Sequence, residues 1–181
     1  MKINKNIKKW QEKNVFFNLK NKWVEFKGMY CIDQNANLLE YYTVKRSDSV
    51  IVLPIIENEL VLPKTYYRHG IKKLTLDFPG GRIEEGSINN IIEDILKREL
   101  HIEKEDVKSI KVLNTKGYFV DSSFSTQKLF ICQAIISLTI TNHKLPRISL
   151  NKENLYNISN ELQCLQCKMA INELLFNIIK G

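Results

Sequence analysis

Residues 79–86, "PGGRIEEG", place two adjacent glycines, two glutamates and a third glycine in one short run. Glycines without a Cβ let the backbone come close to a pyrophosphate and take dihedrals closed to other residues. A helix beginning just beyond them would aim unpaired N–H groups and its positive dipole end at the same anion. The chemistry implied is recognition of a diphosphate. The plainer alternative is a strand–turn–helix junction that uses glycine for geometry alone.

The elements around the run suit either reading. "LTLDFP" reads as a short strand before the glycines, and a helix is expected from about Ile88 to Leu100 after them. Ser87 or Asn89 would cap its start, and Ile88, Ile91, Ile92, Ile95 and Leu96 would form its apolar face. Upstream, strand signals lie in "KWVEFKGMYCID", "LLEYYTVKR", "VIVLPIIE" and "LVLPKTYYR", separated by turn residues. Val50 to Ile56 is apolar at consecutive positions, the pattern of a strand buried on both faces. Downstream, "VKSIKVLNTKGYF" and "QKLFICQAIISLTIT" read as strands, "HKLPRISLN" as irregular, and the stretch from Lys152 to Lys180 as one or two helices. Residues 1–20 read as an amphipathic helix or arm with Ile7, Trp10 and Phe16 or Phe17 as its contacts. The sum is a mixed α/β or α+β domain.

Composition sets the outer limits. The 181 residues are 44% hydrophobic and 26% charged, which suits one well-buried domain. No apolar run approaches the roughly 20 residues that span a bilayer. The basic N-terminus lacks the apolar core of a secretory signal. The formal charge of +7 is spread over the whole chain without a basic stripe, so a nucleic-acid partner is not expected. Cys164 and Cys167 form a CxxC with no second Cys or His pair at zinc-finger spacing. Two reduced thiols at a helix–core boundary, in a reducing cytoplasm, are therefore expected rather than a zinc or redox site.

The order strand, PGG-x-x-E-x-G loop, helix resembles the Nudix family, with signature G-x5-E-x7-R-E-U-x-E-E-x-G-U (U aliphatic). The branch it is most similar to is the ADP-ribose and ADP-sugar pyrophosphatases. "VLPKTYYRHGIKKLTLDFPGGRIEEG", "HIEKEDV" and "YFVDSSFSTQKLFICQA" follow that branch's segments in order, and the resemblance runs over roughly residues 22–178. It implies a Nudix-type α/β/α sandwich with a mixed sheet, an N-terminal strand extension and a C-terminal helix. With residues 1–20 as a helical arm, residues 21–181 would form a single domain, 21–48 being the extension. It also implies a substrate in which a nucleoside diphosphate is joined to a sugar or similar group, Mg²⁺ or Mn²⁺ as cofactor, and a homodimer.

Residue by residue, Gly80, Gly81, Glu84 and Gly86 match the loop. One register sets the R-E-U-x-E-E block on Asp94 to Glu99, the family glycine on His101 and the final aliphatic residue on Ile102. Glu99 is then the one helix glutamate retained, while Ile95 and Arg98 fill the other two places. A second register sets Arg98-Glu99-Leu100 on R-E-U and makes Glu99 and Glu103 an i,i+4 pair. Gln127 falls where a loop glutamate acts as base, and an amide cannot accept a proton at neutral pH. Asp121 and Glu85 are the nearby carboxylates in sequence. The resemblance thus implies Glu99 as the catalytic residue, Gly80 (carbonyl) and Glu99 as metal ligands, and Arg68, Gly80, Gly81 and Arg98 as substrate contacts. Tyr66, Tyr67 and Phe119 could stack on a base. Four carboxylates of the family become Ile95, Arg98, Glu99 and Gln127, and Mg²⁺ requires hard oxygen ligands. The alternative is therefore a degenerate domain that binds a nucleotide or a partner without cofactor or hydrolysis.

Overall fold

The computed structural model describes residues 8–84, 86–139 and 142–180. The chain divides into two compact units, residues 1–47 with 119–127 and residues 48–118 with 128–181.

The first unit is built on an antiparallel sheet of β1 (Gln11–Lys20), β2 (Glu25–Ile32) and β3 (Leu38–Lys45), in that order. The amphipathic helix expected over 1–20 is not what residues 11–20 form. They are a strand, exposed along its whole length and paired with β2 from Gln11↔Ile32 to Lys20↔Glu25. Val15, Phe16 and Phe17 favour extended backbone, and a cross-strand partner outweighs the weak helical spacing of Trp10 and Phe16. Ile7 lies outside the described residues. Aromatic contacts on this sheet join Phe16 to Tyr30 and Tyr42, and Phe17 to Phe26.

The second unit holds the core. β4 (Ser49–Ile56) is buried at every position, as its unbroken apolar run requires. It pairs in parallel with β11 (Lys128–Ile136) from Leu129↔Ser49 to Ile136↔Ile56. Its other edge is shared by β8 (Gly80–Arg82) at Ser49–Ile51 and β5 (Glu59–Val61) at Ile55–Ile56. Pro54 sits in the gap between those two partners, where a strand can lack an N–H donor. β12 (Arg147–Ser149) extends the sheet beyond β5. β9 (Val107–Val112) and the short β10 (Tyr118–Phe119) join β11, while β6 (Lys64–Arg68) and β7 (Lys73–Asp77) form a separate hairpin. The buried Asn114 side chain secures β11, donating to Leu129 O at 2.9 Å and accepting from Ile131 N at 2.7 Å.

Helix α1 (Ile88–Leu100) starts at Ser87, whose hydroxyl accepts from Asn89 N at 3.3 Å. It buries Ile92, Ile95, Leu96 and Leu100 against Val50, Val52, Ile56, Cys132, Ala134 and Ile136. Burial at these helix positions is worth about 1.5–3 kcal/mol each. Because strand side chains alternate, Ile51, Leu53 and Ile55 point to the opposite face. Helices α2 (Lys152–Glu161) and α3 (Leu165–Lys180) pack on each other, and α3 also packs on β4 and β11. Its Cys167, Ala170, Ile171 and Leu174 are buried outside the α1 cluster. The result is a mixed sheet with three helices, an α+β fold. No described helix is long and apolar enough to cross a membrane.

Candidate functional site

The glycine pair is explained first by packing. Gly80 and Gly81 lie in β8 opposite Ile51 and Val50, and neither takes a positive φ. The special dihedral expected of them belongs instead to Gly86, at φ 124°. A Cβ on Gly80 would stand 2.8 Å from Val50 O, and one on Gly81 3.0 Å from Ile95 Cδ1. Ile95 is buried directly beneath Gly81 and holds α1 on β8.

The end of α1 separates the two registers. His101 closes the helix at φ 57°, ψ 33°, and its N–H and that of Ile102 bond to Lys97 O at 3.1 Å and Leu96 O at 3.3 Å. A left-handed residue just past a helix is the usual place of glycine, and the first register sets the family glycine there. Ile102 is fully buried, as an aliphatic anchor should be. Since the helix ends at Leu100, Glu103 lies beyond it and pairs with Lys97 at 2.7 Å. Glu99 and Glu103 therefore do not share a helix face, and the second register is lost.

Glu99 is held from three sides. Arg98 Nη2 donates to its Oε1 at 2.7 Å, and the Tyr66 hydroxyl donates to its Oε2 at 3.1 Å. Lys64 Nζ bonds its backbone carbonyl at 2.6 Å. The same Arg98 Nη2 donates to Gly80 O at 3.2 Å. One guanidinium nitrogen thus spans the two atoms expected to ligate a metal. Burial of its ring, with the Glu99 carboxylate next in weight, pushes the Tyr66 phenol up from its ordinary value and keeps it a donor.

These residues do not fit a divalent cation. Mg²⁺ needs several hard oxygens, and the seat between Gly80 O and Glu99 already holds a cationic donor. Among the described residues no three carboxylates converge there. The one cluster of three metal-ligating side chains is Asp77, Cys164 and Cys167, elsewhere in the unit.

Arg68 is committed to Asp77, with Nε and Nη2 both on Oδ2, and its guanidinium lies 5.1 Å over the Tyr66 ring. Asp77 is buried and also accepts from Thr75 Oγ1 at 3.0 Å. Nothing in the sequence marked Asp77 out; its alternation with Thr75 on one face of β7 was the available signal. Tyr67 is exposed on the hairpin beside His69, and Phe119 is exposed in its own unit. Gln127 is buried and donates to Ser47 O at 3.0 Å, a structural bond. Asp121 accepts from the Ser123 N–H and hydroxyl in a local turn. Glu85 lies outside the described residues.

The mixed sheet, the glycine strand β8 and α1 define an α+β fold. A solved ADP compounds hydrolase is similar to this chain with a TM-score of 0.76, covering 98% of each chain at 19% identity. No protein-family model matches the chain, and neither does any curated protein.

Gly80→Ala should lower unfolding stability by about 1–3 kcal/mol in chemical denaturation without any ligand, because the new methyl meets backbone. Unchanged stability would assign the glycine to ligand approach alone.

Proposed function

We propose that this chain binds a nucleoside diphosphate joined to a sugar or similar group, with Arg98 taking the metal's place, and does not hydrolyse it efficiently. The observation that carries this is the position of Arg98 Nη2 between Gly80 O and Glu99 Oε1. A guanidinium can grip phosphate oxygens with two parallel N–H bonds, and the Arg98 side chain is 59% exposed and open to such a ligand. Its pairing with Glu99 at the surface is worth no more than about 1 kcal/mol, so a phosphate can compete for it. What the arginine lacks is a metal's power to generate hydroxide from bound water. The buried Gln127 amide offers no base. The name of the similar solved structure, an ADP compounds hydrolase, supports the ligand class.

Calorimetric titration with ADP-ribose should give the same affinity in Mg²⁺ and in EDTA, and Arg98→Ala should weaken it at least about tenfold, or 1.4 kcal/mol. AMP release that needs Mg²⁺ or Mn²⁺ and disappears in Glu99→Gln would sink the proposal.

Replacing the arginine tests the same seat from the other side. Arg98→Glu sets a second carboxylate beside Gly80 O, so Mn²⁺ should be taken up and its free electron-paramagnetic signal should fall. The unmodified protein should leave that signal unchanged at the same concentrations. Uptake by the unmodified protein would show that Arg98 yields the seat to a metal.

The homodimer is proposed to form through β1. This edge strand pairs only with β2 within its sheet and exposes Val15, Phe16, Phe17 and Leu19, an arrangement that invites a second copy. Light scattering should give a dimer mass for the protein and a monomer mass for Val15→Lys/Leu19→Lys. A monomeric unmodified protein ends the idea.

A further inference from the structure

The CxxC does not lie within a helix. Helix α2 ends at Glu161, and α3 begins at Leu165, so Cys164 stands at the N-cap position of α3 and Cys167 in its first turn. Cys164 is half-buried, next to the first-turn N–H groups of α3 and near the Cys167 side chain. Cys167 is fully buried, its Sγ accepting from Phe78 N at 3.4 Å and its thiol donating to Asp77 Oδ1 at 3.8 Å. Both sulfurs and the Asp77 oxygen lie within 4.8 Å of one another.

We propose that Cys164 and Cys167 form a redox-active dithiol that exchanges with small disulfides such as glutathione disulfide, Cys164 attacking and Cys167 resolving. Each part of the cycle has a group in place. The Cys167 side chain, together with the N–H groups at the start of α3, lowers the Cys164 thiol from its ordinary value and favours its thiolate. The nearby Cys164 sulfur, together with burial, pushes the Cys167 thiol up, so it keeps its proton until needed. The charged group facing both sulfurs is Asp77 from β7, itself paired to Arg68 from β6.

The Cys164 thiolate attacks one sulfur of the small disulfide, forming a mixed disulfide and expelling one glutathione thiolate. Cys167 passes its proton to Asp77 Oδ1, and its thiolate attacks Cys164 Sγ. The mixed S–S bond breaks, the second glutathione thiolate leaves, and Asp77 returns the proton to solvent. The protein dithiol is oxidised by two electrons and the glutathione disulfide is reduced to two thiols. Rotation of the side chains brings the sulfurs to the ~2.05 Å of a disulfide. A zinc site is the less complete reading of this cluster, since a closed structural site takes four ligands and three are present among the described residues.

The test is intact-mass analysis after equilibration with glutathione disulfide, followed by maleimide labelling of remaining thiols. The protein should lose two hydrogens and two labelling sites, mapped to the peptide holding Cys164 and Cys167, while Cys31 and Cys132 still label once unfolded. Cys167→Ser should stop with one glutathione on Cys164, and Cys164→Ser should take up none. In the reduced protein, iodoacetamide should modify Cys164 with a rate half-maximal near pH 6 rather than the about 8.5 of a free thiol. No disulfide at equilibrium would overturn the proposal. So would one bound zinc per chain that shields both thiols until a chelator removes it.

Discussion

One guanidinium nitrogen on two oxygens organises the centre of the second unit. Arg98 reaches Gly80 O and Glu99 Oε1 together because β8 and α1 are held at a set separation. Two features set it. The missing side chains of Gly80 and Gly81 let β8 lie against β4 and let Ile95 fill the space below. The left-handed turn at His101 ends α1 one residue beyond Glu99, so the carboxylate faces the hairpin and meets the Tyr66 hydroxyl rather than solvent. Enlarging either glycine disturbs the distance that the arginine bridges.

Arg98 sets one positive charge beside the Glu99 carboxylate. Where a divalent ion balances several carboxylates, a single positive charge here balances the single carboxylate of Glu99. Local neutrality is kept with fewer charges of both signs. The apolar Ile95 accords with this. A glutamate at its position would be an unpaired charge at a site of 1% exposure, a costly burial without a cation beside it. A guanidinium has no Lewis acidity, so it cannot activate water as a metal ion does.

Much of this was legible in the sequence because it rests on local signals. The limits of α1, its Ser87 cap and its apolar face follow from capping chemistry and helical spacing, and the buried run of β4 from its unbroken apolar residues. Glu99 and Arg98 could be set beside Gly80 through the resemblance of ordered segments. The parts that were not legible depend on partners distant in the chain. β1 became a strand because β2 offers it a ladder, which no local periodicity records. Arg68 turned toward Asp77, and Gln127 toward Ser47, through contacts that only the fold creates. The CxxC looked like part of a helix because its flanking residues are helix formers. The break between Glu161 and Leu165 exists because Leu162 turns into the core, where it is 1% exposed.

The polar groups in this unit form one connected line. It runs from Gly80 O through Arg98 to Glu99, through the Tyr66 hydroxyl to the ring under Arg68, then to Asp77 and Cys167. Backbone closes it, since Phe78, two residues before Gly80, donates its N–H to Cys167 Sγ. Where such a group is buried, as Asp77 and Cys167 are, a partner lost leaves a charge or dipole without compensation. β7 therefore carries two duties. Asp77 fixes the charge that positions Arg68, and the next residue fixes the strand leading into the glycines. A change in the ionisation or bonding of Cys167 bears on both at once, since the Arg98–Gly80 contact and the Cys164–Cys167 pair share the strand that supports them.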